Sequence, residues 1–140
     1  MNNLFIDTDV IIDFLADRKP FSREAAVIFS LAEQGIINLY ASSLTFSNLY
    51  YVLCKFENKN KVIEKLERLS ELFKILNVDE KIIKRSLKSK MPDFEASIQY
   101  HCAQAFKHID LIITRNIKDF KDVGISVMTP GDFLKIAGSL

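Results

Sequence analysis

The chain has 140 residues, 49% of them hydrophobic and 26% charged, with a net charge of +1. That length and balance fit one folded domain over residues 1–140 and exclude a disordered chain. The near-zero total charge advertises neither nucleic acid nor membrane. Cys54 and Cys102 lack a CxxC spacing and read as reduced core thiols of a cytoplasmic protein.

The N-terminal stretch LFIDTDVIIDFL opens with an apolar strand, Leu4–Ile6, and runs at once into Asp7, Asp9 and Asp13. These acids interrupt the apolar run and argue against a signal peptide. Val10, Ile11, Phe14 and Leu15 recur at helical spacing, with Asp9 read as a cap and Asp13 as part of a solvated helix face. Ser22 is the predicted N-cap of a helix that stops near Gly35. Ile36–Ala41, rich in aromatic and β-branched residues, is the second predicted strand. Ser42 or Ser43 caps the helix that follows. The uncharged run from Gly35 to Cys54 has nearly spanning length but holds too many Ser, Thr and Asn residues for a membrane helix.

Asn60 begins the next helix, and Leu72–Leu76 is the third strand. Asp79 caps a helix running to about Ser89, and Pro92-Asp93 opens another ending near Phe106. Leu111–Thr114 and Ser126–Met128 complete the strands, and Pro130 starts the last helix. Strands alternating with helices in this way specify an α/β sandwich built on a mostly parallel sheet.

In open parallel sheets, ligands bind beyond the carboxyl ends of the strands. Asp7 lies just past the first strand and Thr114-Arg115-Asn116 at the end of the fourth, with Asp119 close behind. Asp93 and Glu95 stand at a helix start, where Asp93 also makes a good N-terminal residue and Glu95 reads as pointing to solvent. Asp110 precedes its strand and so falls at the opposite edge. Aspartates gathered at one edge supply hard oxygen ligands, which suit Mg²⁺ or Mn²⁺ and not zinc.

With these residues in place, the sequence resembles the PIN-domain family, the fold of metal-dependent ribonucleases that includes VapC-type toxins. FIDTDVIIDFL resembles the family's opening strand and first acid, SSLTFSNLYYVL its early helix, and DFEASIQYHCAQAF and DLIITRNIKDF its later acidic segments. The resemblance implies a three-layer sandwich with a five-stranded sheet in the order 3-2-1-4-5. It implies a pocket for one or two Mg²⁺ or Mn²⁺ ions and hydrolysis of single-stranded RNA, by a homodimer or under a protein antitoxin. Mapped onto this chain, it makes Asp7 the principal metal ligand and a catalytic residue. Asp119 and Asn116 close the other side, and Asp93 stands near a second metal position.

The chain also departs from the family pattern. Asn48 stands where many relatives carry Glu on the early helix, Ala96 where the later helix usually continues Asp-Phe-Glu-Asp, and Asn116 where Asp is frequent. Asn48 reads equally as a buried amide or as part of the site. These depleted positions support an alternative reading, a catalytically weakened module that binds RNA or a protein partner. DTDVI resembles, in addition, the nucleophile motif of haloacid-dehalogenase-type phosphatases. That family needs a later Lys and an acidic pair, for which Asn116–Leu140 leaves too little chain.

Charge is unevenly spread. Residues 55–90 hold 11 basic and 6 acidic side chains, the remainder 8 and 12. Lys81, Lys84, Arg85 and Lys88 fall on one helix stripe suited to phosphate, with Ile82, Ile83 and Leu87 left to face the core. Thr114 and Arg115 are further candidate substrate contacts. His101 and His108 lack any metal-spaced partner and read as structural.

Overall fold

A computed structural model describes residues 2–121 and 123–138. In chain order the elements are β1 (Asn3–Ile6), α1 (Thr8–Leu15), α2 (Ser22–Glu33), β2 (Asn38–Ser42), α3 (Ser43–Leu53) and α4 (Lys59–Leu72). They continue with β3 (Phe73–Leu76), α5 (Glu80–Lys88), α6 (Phe94–Phe106), β4 (Leu111–Ile113), a 3₁₀ turn (Ile117–Phe120), β5 (Ser126–Met128) and α7 (Pro130–Ala137). The sheet runs β3-β2-β1-β4-β5, the order that the resemblance implied, and every pairing is parallel, where the alternation of elements predicted a mostly parallel sheet. Among the described residues, no helix is long and apolar enough to cross a membrane.

β1 is central, with Leu4 paired to Leu39 on one side and to Leu111 on the other. Both of its faces are covered, which is why Leu4, Phe5 and Ile6 run as continuous apolar residues without alternation. Leu4 and Ile6 face the core made with α1, α2, α3, α4 and α7. Phe5 faces the second core, built with Ile82 of α5, Ala96, Ile98, Tyr100, Cys102 and Ala103 of α6, and Phe120. The three layers are thus two unequal helical covers around one sheet.

Several element boundaries differ from the sequence expectation, each for a local reason. The strand expected from Ile36 begins at Asn38, because α2 closes on Gly35 at φ +77°. The Gly35 N–H donates to Ala32 O and the Ile36 N–H to Leu31 O, both at 3.0 Å, so Ile36 belongs to the helix exit. Ser22 is the first residue of α2 and not its cap. α4 starts ahead of Asn60 because the Asn58 side chain accepts the Lys61 N–H at 3.0 Å. The expected caps at Ser42, Asp79 and Asp93 are present, accepting N–H groups of Thr45, Ile82 and Ala96. Leu87, expected to face the core, is 67% exposed.

Asp13 overturns the solvated-face reading. It is 1% exposed, and its carboxylate accepts Arg115 Nε at 2.5 Å and Arg115 Nη2 at 3.1 Å, with Arg18 Nη1 at 3.7 Å. The Arg115 guanidinium lies 4.0 Å over the Phe21 ring. This ion pair fastens α1 to the segment after β4, and so fixes the chain that carries Thr114 and Asn116. A bidentate, desolvated pair is costly to break because the surviving charge stays buried. Arg115→Met is expected to cost about 3 kcal/mol in urea unfolding, the low end for such pairs because Arg18 stands by. The double variant with Asp13→Asn should lose no more than Arg115→Met alone; a much larger loss would refute the buried-charge account.

Candidate active site

β1 ends at Ile6, and the ladder continues for one more bond as the Asp7 N–H donates to Ile113 O at 2.9 Å. Asp7 then occupies the N-cap position of α1, yet its side chain makes no capping bond. The carboxylate is turned across the sheet edge instead. Thr114 Oγ1 donates to Oδ2 at 2.6 Å, and Gln99 Nε2 donates to Oδ1 at 3.0 Å. Thr114 is itself aligned by the Asn116 N–H, which donates to Oγ1 at 3.0 Å. The Gln99 carbonyl oxygen accepts the Thr8 N–H at 3.2 Å, so one amide ties α6 both to the start of α1 and to Asp7.

Asp7 is only 6% exposed. Burial pushes its carboxyl up from 3.8 to about 6, and the neighbouring Asp9 charge adds to the rise; the Thr114 and Gln99 bonds pull against both.

Two more acids reach the same edge. Asp9, expected to cap α1, instead lies within its first turn, and its Oδ2 accepts Asn116 Nδ2 at 3.0 Å. Glu95, expected to point to solvent, is an exposed residue whose carboxylate nonetheless turns inward. Its Oε1 accepts Asn48 Nδ2 at 3.2 Å. Burial raises the Glu95 carboxyl above its ordinary range, with the Asp9 and Asp93 charges pushing the same way. Asn48 is therefore part of this group. Below it, Thr8, Thr45 and Ser42 form a buried hydroxyl chain with successive oxygens 3.1 Å apart.

The other candidates are placed as follows. Asp93 caps α6, its Oδ2 accepting the Ala96 N–H at 2.9 Å. Asp119 is half-buried on the 3₁₀ turn, and its N–H donates to Asn116 O at 3.0 Å. Lys81, Lys84, Arg85 and Lys88 are all exposed on α5, with Lys84 paired to Glu80 at 2.9 Å. His101 Nδ1 donates to Ser97 O at 2.8 Å, a structural bond. Asp110, at the opposite edge, accepts the N–H groups of Asn2 and Asn3. Gln99 escaped the sequence reading; its one signal is an uncharged polar residue on the inward face of a helix that buries residues 96–103 almost continuously.

The profile of the PIN-domain family matches residues 3–118. The chain belongs to the PIN-domain family. It is similar to ribonuclease VapC1 of Aquifex aeolicus, at 23% identity over 93% of this chain and 92% of that protein. In structure it resembles the DNA-bound VapBC of Salmonella typhimurium, with a TM-score of 0.69 and 17% identity over 93% of this chain and 99% of the other. It likewise resembles VapC20 of Mycobacterium tuberculosis, described as a toxin that cleaves the sarcin–ricin loop, with a TM-score of 0.66 and 10% identity. That alignment covers 86% of this chain and 95% of VapC20.

The Asp7 environment has a measurable consequence. A carboxyl held at about 6 when folded and 3.8 when unfolded binds its proton more tightly in the folded protein. Folding stability therefore falls as pH rises between those values, by about 3 kcal/mol in all, and the penalty is absent below pH 4. Asp7→Asn removes it, and the Thr114 hydroxyl can reverse to accept the new amide. The variant should gain on the wild type in thermal unfolding at pH 8 and lose that advantage at pH 4; a pH-independent difference would refute the assignment.

Proposed function

We propose that this protein is a divalent-ion-dependent ribonuclease of the VapC kind, hydrolysing phosphodiesters of single-stranded RNA under the control of a protein antitoxin. The observation that carries this reading is the buried Asp7 carboxylate at the carboxyl edge of the central strand, held between Thr114 and Gln99. The named ribonuclease and RNA-cleaving toxin among its relatives support the substrate, and the VapBC assemblies support the partner. A homodimer fits the same reading.

Mg²⁺ or Mn²⁺ suits the donor set, since the groups around Asp7 are carboxylates, hydroxyls and amides. Among the described residues, no three acidic, histidine or cysteine side chains are grouped to hold an ion. An ion here would rest on Asp7 with one further ligand from Asp93, Asn116 or Asp119, and on water and RNA phosphate for the rest, which is usual for Mg²⁺. Bound, it supplies charge to the phosphate oxygens and a more acidic water. Asp7 is the proposed anchoring carboxylate, Thr114 and Gln99 fix its rotamer, and Asp93 and Asp119 complete the proposed catalytic acids. Arg115, committed to Asp13, serves to hold the Thr114–Asn116 segment in place.

One observation favours the second reading, a weakened module that binds RNA or a protein. Asp7, Asp9 and Glu95 each already accept a side-chain amide, from Gln99, Asn116 and Asn48. Ala96 offers the test: packed in the second core, it lies one helical turn before Gln99 on α6, the face from which Gln99 reaches Asp7, and Ala96→Asp adds a carboxylate to that face. Calorimetric titration should show tighter Mn²⁺ binding than in the wild type. In a cleavage assay on unstructured RNA with Mn²⁺, the wild type should cut and Asp7→Asn should not. Binding without cleavage by the wild type would replace the first reading with the second.

A further inference from the structure

A cavity of about 510 Å³ opens between the end of α5, one face of α6 and the segment after the 3₁₀ turn. Its lining includes Lys90, Met91, Pro92, Tyr100, His101 and Lys121. Two cations and no described carboxylate line it, although the neighbouring edge is rich in acid. Both lysines are exposed, and among the described residues neither ammonium is drawn into an ion pair, whereas Lys84 on α5 is paired with Glu80. The cavity adjoins the candidate active site along the chain at two points. Pro92 precedes Asp93 directly, and Lys121 follows Asp119 by two residues.

The polar groups in the wall have their orientations set from outside the cavity. Tyr100 Oη accepts the Gly124 N–H at 3.1 Å, which leaves its own proton to donate. A carbonyl can only accept, so the 2.8 Å contact to Ser97 O places the proton of His101 on Nδ1 and leaves Nε2 as the acceptor. Met91 and Pro92 add apolar surface. The volume falls within the range of small-ligand pockets, and ammonium groups beside an apolar wall and a few oriented polar atoms suit a phosphate-bearing ligand.

We propose that this cavity is a nucleotide subsite for the RNA strand, in which Lys90 and Lys121 neutralise backbone phosphate adjoining the acidic edge. The assignment rests on the ribonuclease reading of that edge and adds to it a direction. RNA leaves the acids between Asp93 and Asp119, crosses the cavity, and continues over Lys88 and Arg85 on α5.

The test uses the full chain, EDTA, and a short fluorescently labelled oligouridylate whose binding is followed by polarisation across a salt series. Lys90→Gln with Lys121→Gln should weaken binding about tenfold and flatten the log–log salt slope by roughly 1.4, about 0.7 for each lost contact to a single strand. Lys59→Gln with Lys61→Gln, on α4 across the sheet, should change neither, and thermal unfolding checks that both double variants fold. An unchanged affinity and slope in the Lys90/Lys121 variant overturns the subsite. If the wild type still cleaves RNA with Mn²⁺, the ribonuclease reading survives that result. A wild type that neither binds nor cleaves RNA overturns both. Competition by a polyglutamate peptide as effective as RNA would overturn the assignment to a nucleotide.

Discussion

The rest of the site depends on one constraint, a carboxylate buried at the end of the central strand with a fixed donor for each oxygen. Asp7 is dry because β1 is covered on both faces, and it is oriented because Thr114 and Gln99 approach from opposite sides. Thr114 follows β4, the neighbour of β1, while Gln99 comes from the helix laid over the second core. Parallel pairing brings the first two to one edge, and α6 closes over them. An acid in this position costs stability, and the fold bears that cost at the one point where strand ends, helix starts and a long helix face converge.

Around that carboxylate the charges are balanced mostly by amides. Gln99, Asn116 and Asn48 each donate to a different acid, and the Arg115 guanidinium is committed to Asp13. A neutral donor orients a carboxylate without cancelling its charge, so the edge stays anionic. The buried hydroxyl chain of Ser42, Thr45 and Thr8 adds polar support from beneath. An acidic set held this way presents negative potential to solvent.

The net charge of +1 conceals how separated the two signs are. Acids collect at the carboxyl edge of the sheet, while α5 and the cavity beyond it carry exposed basic groups, of which Lys84 is paired with Glu80. Adjacent fields of opposite sign suit a polyanion that must be both drawn in and brought against an acidic centre. Along the chain the two surfaces meet at Pro92-Asp93 and between Asp119 and Lys121.

The alternation of strand and helix, the parallel sheet and the place of Asp7 just past the first strand were legible in the sequence, because each depends on local patterning. Apolar runs bounded by turn residues mark buried strands, and a charged residue at such a boundary stands out wherever the chain goes next. The caps at Asp79 and Asp93 were legible for the same reason, since a cap bonds only three residues ahead. Asp9, Asp13, Glu95 and Gln99 were not. Their helical phase was visible, but whether a given face meets solvent, an arginine 102 residues away or an aspartate 92 residues away is decided only when the layers pack. Sequence by itself determined which elements form and where the first acid falls. The tertiary structure decided which polar residues surround it, because hydrogen bonds across layers join positions that no local spacing relates.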